Sequence, residues 1–250
     1  MKLIKIEIGV AIELPTGEAL PIRQIIAIGR NYSEHAAEQG AAMEERPIMF
    51  TKNPASACLS GDEIVIPKIA RDPATGGGPH GDEPRSHGQV DFEAELGVVI
   101  GQPTKDVPRE RALESVLGYA CCNDVTARWW QKNAGGGQWS RGKGFDTFCP
   151  IGPELMPAEA VGDPQNLAIA CRVNGETMQS ARTDQMMFHV EHLIAELSRG
   201  TTLLPGTLIL TGTPAGVGVF REPKLYLQPG DTVEVEVEKI GVLTNTVAAE

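Results

Sequence analysis

The sequence predicts an α+β fold, mostly β, with a few short helices. Three observations carry this prediction. Short runs rich in β-branched residues, several with apolar/polar alternation, recur from Lys2 to the tail beyond Asp231. Helical periodicity is confined to a few short segments. The two kinds of segment do not alternate as strand–helix–strand units, which favours a mostly antiparallel arrangement over a doubly wound one. With 250 residues, 41% of them hydrophobic, the chain is long enough for a packed core.

In order along the chain, residues 1–20 read as an N-terminal β-ribbon, and Ile25–Gly29 as a buried strand. A short helix follows, with Ser33 as N-cap and Gly40 as its stop. Ile48–Lys52 and Glu63–Pro67 are further strands. Residues 70–89 are rich in Gly, Pro and polar side chains and predict a flexible loop bearing His80, Glu83 and His87. Val90–Ile100 alternates and then becomes apolar on both faces, so it runs into the core. Pro108–Leu117 predicts a helix, Tyr119–Asn123 a buried strand, and Thr126 the cap of a short helix through Gln131 that Gly135–Gly137 ends. Thr183 or Asp184 caps a helix running to Ser198, with Met187, Val190, Ile194 and Leu197 on one face. Leu208–Thr211 is a strand, and the tail is β with tight Gly turns.

The net charge of −11 and the absence of any Lys/Arg cluster argue against nucleic acid or an anionic membrane as partner. A small anionic substrate remains compatible, because a metal and a few local cations reverse the field within a cleft. Five cysteines without C-x-x-C spacing indicate free thiols in a reducing cytoplasm. The N-terminus lacks the apolar stretch of a signal peptide, and no segment is long and apolar enough to span a bilayer.

Glu93 and Glu95 carry the chemistry. Two residues apart on a strand, they project from one face. Carboxylates converging at the edge of a core repel one another and resist desolvation, and a divalent cation is the usual remedy. Oxygen ligands select a hard ion. A solvated face is the plain alternative, and Glu234, Glu236 and Glu238, alternating with valines, illustrate it. Asp124, after the buried strand, offers a third ligand and leaves positions for water and substrate. His35 and Glu38, three apart on a short helix, share a face, and a His oriented by a carboxylate activates water at neutral pH. Arg30 and Tyr32 precede them in the same turn. Lys143 lies between glycines, where it can approach a substrate. Thr211–Gly218 is a Gly-rich loop but no P-loop, since no Gly-Lys-Ser/Thr follows; it offers backbone N–H groups and the Thr213 hydroxyl to an anion.

These segments, in this order, resemble the fumarylacetoacetate hydrolase family, in its short single-domain form. The resemblance runs from about Ile25 onward. It rests on Gly29-Arg30-Asn31-Tyr32-x-x-His35-x-x-Glu38, Val90-Asp91-Phe92-Glu93-x-Glu95-Leu96, Asn123-Asp124-Val125-Thr126-Ala127-Arg128, Lys143-x-Phe145-Asp146, Val173-Asn174-Gly175-Glu176 and Thr211-Gly212-Thr213-Pro214-x-Gly216-Val217-Gly218. It implies a mixed β-sandwich roll, a catalytic domain over residues 21–250, a homodimer and a Mg²⁺ or Mn²⁺ site. Carried onto this chain, Glu93, Glu95 and Asp124 match the metal ligands. His35 and Glu38 match the water-activating dyad, and Lys143 an active-site lysine. Arg30, Tyr32, Gln131 and Thr213 fall at substrate-binding positions. The 70–89 loop departs from the family pattern.

The implied chemistry is hydrolysis of a C–C bond in a 2,4-dioxo acid, acylpyruvate- or fumarylacetoacetate-like, through an enolate that the cation stabilises. The same site serves oxaloacetate decarboxylation, keto–enol tautomerisation or 2-hydroxymuconate-type isomerisation. The presence of both His35 and Glu38 favours hydrolysis. A metal-stabilised protein without activity would lack a ligand or a dyad member, and none is replaced.

Overall fold

The computed structural model describes residues 1–38, 40, 45–71 and 89–250. The described strands form four sheets. The largest has seven strands in the order β5 (Ile48–Lys52), β4 (Gln24–Gly29), β15 (Thr207–Leu210), β9 (Ala94–Ile100), β10 (Val116–Asn123), β12 (Cys149–Pro157) and β6 (Ala57–Leu59). A five-stranded sheet runs β14 (Glu176–Arg182), β13 (Ala168–Val173), β16 (Thr232–Val237), β17 (Gly241–Ala249) and β7 (Glu63–Ile66). The N-terminal residues make a three-stranded ribbon of β1 (Leu3–Lys5), β2 (Val10–Glu13) and β3 (Ala19–Pro21). Finally β8 (Val90–Asp91) pairs with β11 (Thr126–Ala127). Most pairings are antiparallel, with β4–β15, β6–β12 and β7–β17 parallel.

The alternation of Val90–Ile100 has a direct structural meaning. Val90, Phe92, Ala94, Leu96, Val98 and Ile100 enter a core shared with Ile169, Cys171, Val233 and Val235 of the five-stranded sheet. Val99, pointing the other way, joins a second core with Val10 and Ile12 of the ribbon, Ile25, Ile151 and Leu208. The seven-stranded sheet is therefore covered on both faces, by the second large sheet and by the ribbon. This is the expected mixed β-sandwich roll, and it explains why β9 reads apolar on both sides. The contrasting β16 behaves as a half-exposed strand: its valines are buried, and Glu234 and Glu236 bind Arg172 at 3.0 and 2.8 Å near the surface.

Several local expectations change. Residues 109–115 form a 3₁₀ turn, and Val116 and Leu117 belong to β10, because Val116 pairs with Ile100. Thr126 caps nothing; it pairs with Asp91 in β11, and helix α3 (Arg128–Asn133) starts after it. Helix α5 (Ala158–Val161) follows β12, and the long helix begins only at Val190 (α6, Val190–Ser198). Before it, the buried Asn31 side chain clamps the backbone of Phe188, accepting from its N–H at 2.7 Å and donating to its carbonyl at 2.9 Å, and Tyr32 bridges to Met186. Tertiary hydrogen bonds thus override the local helical pattern. Helix α1 (Ser33–Glu38) forms as expected, with Gly40 at φ +61° after it. Helix α2 (Lys68–Arg71) takes up the start of the predicted loop, and residues 72–88, with His80, Glu83 and His87, lie outside the described residues. Helix α4 (Trp139–Lys143) packs on α3 so closely that a Cβ at Gly142 would strike the backbone of Gln131 and Ala127.

All five cysteines are free and buried. Cys121 faces the larger core and Cys122 the second. Among the described residues no helix is long and apolar enough to cross a membrane.

Gly97, in the middle of β9, tests the sheet packing. A Cβ there would collide with the Cys122 thiol and lie 3.2 Å from Leu208 Cδ1. Gly97→Ala is expected to cost about 1–3 kcal/mol, and Cys122→Ala should recover part of that loss. Denaturant unfolding of the four-member mutant cycle measures the coupling, and strictly additive losses would refute the contact.

Candidate active site and metal centre

The site grows out of one register. Cys122 opposes Glu95 and Asn123 opposes Ala94 across β10 and β9. Glu93 sits just before β9, where the strand is interrupted. There its N–H donates to the Asn123 side-chain oxygen at 3.0 Å, and its carbonyl accepts the Asp124 N–H at 2.9 Å. Asp124 follows β10 in the short break before β11 rather than opening a helix. Glu93, Glu95 and Asp124 thereby converge, each buried, with ligand atoms all within 4.8 Å of one another.

Three cations answer this charge. Lys143, at the end of α4 and 1% exposed, donates to Glu93 Oε2 at 2.8 Å, Asp124 Oδ2 at 2.6 Å and the Thr126 hydroxyl at 2.7 Å. Arg128 joins Glu93 Oε1 at 2.6 Å and, through Nε, Asp91 Oδ2 at 2.8 Å. Lys52, closing β5, donates to Asp124 Oδ1 at 2.5 Å. Burial raises the Glu93 pKa, but Lys143 and Arg128 outweigh it and bring it down to about 2. Among the described residues no ion pair joins Glu95, and burial, then the charges of Asp124 and Glu93, hold it well above the usual carboxylate range; the more distant Lys143 and the Gly212 N–H lower its pKa only in part. Burial would lower the Lys143 pKa, yet Asp124 and Glu93 prevail and raise it.

The Gly-rich loop after β15 does offer its N–H groups to anions, and here the anions are the protein's own carboxylates. Gly212 N–H binds Glu95 at 2.6 Å, Gly216 N–H binds Glu38 at 2.9 Å, and Gly218 and Val219 N–H bind Asp91 at 2.8 and 3.0 Å. Glycine is required at Gly216, where φ is +103° and a Cβ would meet the Met178 carbonyl. The Thr213 hydroxyl donates to the Ala94 carbonyl at 2.9 Å and accepts from Gln179 at 2.8 Å.

His35 Nδ1 and Glu38 Oε2 lie 3.1 Å apart on α1, while the other Glu38 oxygen holds Gly216. The carboxylate orients the imidazole and ties α1 to the loop. Arg30, His35, Glu93, Gln131, Lys143 and Thr213 all line one cavity of about 130 Å³. Phe50, Trp139 and Phe220 supply its aromatic walls. Tyr32 stands apart. Its ring is in the larger core, it borders a separate cavity with Ser33 and Pro214, and burial pushes its hydroxyl pKa far up.

Lys52, Asp91, Arg128 and Gln179 were not singled out in the sequence. Asp91 had a readable signal, since it continues the row of Glu93 and Glu95. Lys52 had a fainter one: it occupies the inward row of β5 with Ile48 and Phe50. The donor set of the triad is entirely oxygen, buried and closely spaced, and it fits a hard divalent cation such as Mg²⁺ or Mn²⁺.

Asn31 ties the α1 turn to both neighbouring segments, because its amide also donates to the Thr211 carbonyl at 2.7 Å. Asn31→Ala leaves buried backbone groups unpaired and should cost about 2–4 kcal/mol. Hydrogen exchange should show faster opening of residues 186–190 and 211–213. Unchanged exchange there would show the clamp to be dispensable.

Comparison with known proteins identifies the family. Residues 24–248 match the Fumarylacetoacetate (FAA) hydrolase C-terminal family. The chain is 44% identical over 224 residues to the oxaloacetate tautomerase FAHD2A, mitochondrial, of Homo sapiens, covering 90% of this chain and 66% of that protein. It spans about two thirds of the length of such curated relatives. Fumarylpyruvate hydrolase from Pseudomonas aeruginosa, solved in complex with Mn²⁺ and pyruvate, superposes with a TM-score of 0.78 at 32% identity, covering 100% of both chains. The 2-hydroxyhepta-2,4-diene-1,7-dioate isomerase of Mycobacterium marinum gives 0.73 at 37% identity, covering 91% of this chain and 75% of that one. By this match over nearly its whole length, the chain belongs to the fumarylacetoacetate hydrolase family, which includes hydrolases, isomerases and tautomerases.

Proposed function

We propose that the protein is a divalent-metal-dependent hydrolase cleaving a C–C bond in a 2,4-dioxo acid of the acylpyruvate or fumarylacetoacetate type. The observation that carries this reading is the buried Glu93–Glu95–Asp124 triad, whose Glu93 lines the same cavity as His35. Bound there, Mg²⁺ or Mn²⁺ would supply a Lewis acid for the 2-oxo acid and neutralise charge developing on its oxygen. The Mn²⁺ and pyruvate of the Pseudomonas relative support both the ion and the acid.

The chain's own residues do the rest. With Glu38 accepting from Nδ1, His35 uses Nε2 to take a proton from water. The hydroxide adds to the distal carbonyl carbon, C4 of the dioxo acid. The C3–C4 bond then breaks, giving a carboxylic acid and a three-carbon enolate, and His35 returns its proton to C3. Lys143 has three donors and three acceptors within the site, so it acts on this charge as a fixed cation rather than through a new hydrogen bond. Arg30 and Gln131 hold the polar groups of the acid, and Thr213 shapes the wall. A homodimer in the cytoplasm completes the reading; the five buried free thiols support a reducing compartment.

A second reading is keto–enol tautomerisation of oxaloacetate, favoured by the 44% identity to a tautomerase. There the dyad shuttles one proton and no water attacks.

Loss of enol ultraviolet absorbance should be followed for acylpyruvate and for oxaloacetate, with Mg²⁺ or Mn²⁺ and again with chelator. Chelator-sensitive release of pyruvate plus an acid is expected, and turnover of oxaloacetate alone would replace hydrolysis with the second reading. Glu95→Ala should lose both metal binding and turnover; wild-type turnover in that variant would remove the metal from the reaction. His35→Ala should retain the metal and lower the hydrolytic kcat by about 10²–10⁴-fold. Undiminished hydrolysis would end the dyad's role.

A further inference from the structure

We propose that Lys52 is a positioning residue: it fixes the orientation of Asp124 and sets the net charge of the metal site. The inference rests on the metal reading above. Lys52 lies in the inward row of β5, where Ile48 and Phe50 are its neighbours, and its side chain is 0% exposed. Its ammonium meets Asp124 Oδ1 at 2.5 Å and the Val125 carbonyl at 3.3 Å. Lys143 holds the other oxygen, Oδ2, at 2.6 Å. Ammonium groups from two different elements thus grip both oxygens of Asp124, so the carboxylate cannot turn. Lys143 also lines the cavity; Lys52 does not, so it acts from behind Asp124 rather than by touching substrate.

Packing does not explain a lysine here. A buried ion pair is weak evidence of stability, and an apolar residue of similar size often serves as well. Charge does explain it. In the metal-bound state the ionised Asp91, Glu93, Glu95 and Asp124 supply four negative charges, and Lys52, Lys143 and Arg128 supply three positive ones, which leaves −1 from the protein. A divalent cation turns this to +1, a site that attracts an anionic 2-oxo acid. Without Lys52 the loaded inner cluster would be neutral, and Arg30 and Lys132 on the cavity wall would be left to attract the anion. Lys52 therefore gives up some affinity for the cation in exchange for affinity for the anion.

Thermal unfolding with and without Mn²⁺, and calorimetric binding of oxalate to the Mn²⁺-loaded protein, test this on Lys52→Gln and Lys52→Met. Removing the charge should make the Mn²⁺-induced rise in Tm larger than in wild type, because the ion replaces the missing cation. The oxalate Kd should rise about tenfold, the size of one charge acting across several ångströms at an effective dielectric constant of about 20–40. Lys52→Gln keeps a hydrogen-bond donor near Asp124, so a purely structural lysine would leave it like wild type. If Lys52→Met folds only when Mn²⁺ is present, that is the expected rescue in its strongest form. A wild-type Mn²⁺ shift and oxalate Kd in Lys52→Gln would overturn the role of Lys52 alone. No Mn²⁺ shift in the wild-type protein would overturn the metal reading, and this inference with it.

Discussion

The rest of the molecule is arranged around three carboxylates held within 4.8 Å of one another out of water. Such a cluster is strongly unfavourable without counter-charge and donors. Lys143 bridges two of its members, Lys52 and Arg128 flank it, and the backbone of the Gly-rich loop binds the third. Each of these partners comes from a different part of the chain. The fold is therefore as much a means of delivering cations and N–H groups to one place as a way of burying apolar surface.

That delivery explains features that packing alone leaves open. The sheet needs both faces covered so that the strand ends carrying Glu95 and Asp124 stay dry. The loop after β15 needs glycines because its backbone must approach Glu95, Glu38 and Asp91 at hydrogen-bond distance. Asp91 is a junction: it accepts from two loop N–H groups and from Arg128, which in turn reaches Glu93. Glu38 has a comparable double role, since it orients His35 with one oxygen and anchors the loop with the other.

Much of this was legible in the sequence, and the limits have physical causes. The alternation of Val90–Ile100 disclosed both the core strand and the carboxylate row, because side-chain direction in a strand is a local property. Residue type and spacing raised Glu93, Glu95, Asp124, His35 and Glu38 as candidates and the family resemblance gave them roles; the structure brings the three carboxylates together and sets His35 beside Glu38. What stayed hidden depends on contacts distant in sequence. The late start of α6 follows from Asn31 gripping Phe188, which are 157 residues apart. Lys52 resembled any strand-ending lysine until Asp124, 72 residues away, was placed against it. Likewise Thr126 looked like a helix cap, but Lys143 and the Asp124 carbonyl take its hydroxyl.

Cys121 and Cys122 are neighbours in the chain yet face opposite sides of β10, each sealed in its own core. Burial pushes the Cys121 thiol up to about 12 and Cys122 well above its ordinary value. Thiolate is the reactive form, so neither sulfur reacts while the sheet is intact. Electrophile labelling of the pair thus becomes a clock for the breathing of the roll. Cys121 registers separation of the two large sheets, and Cys122 registers departure of the ribbon.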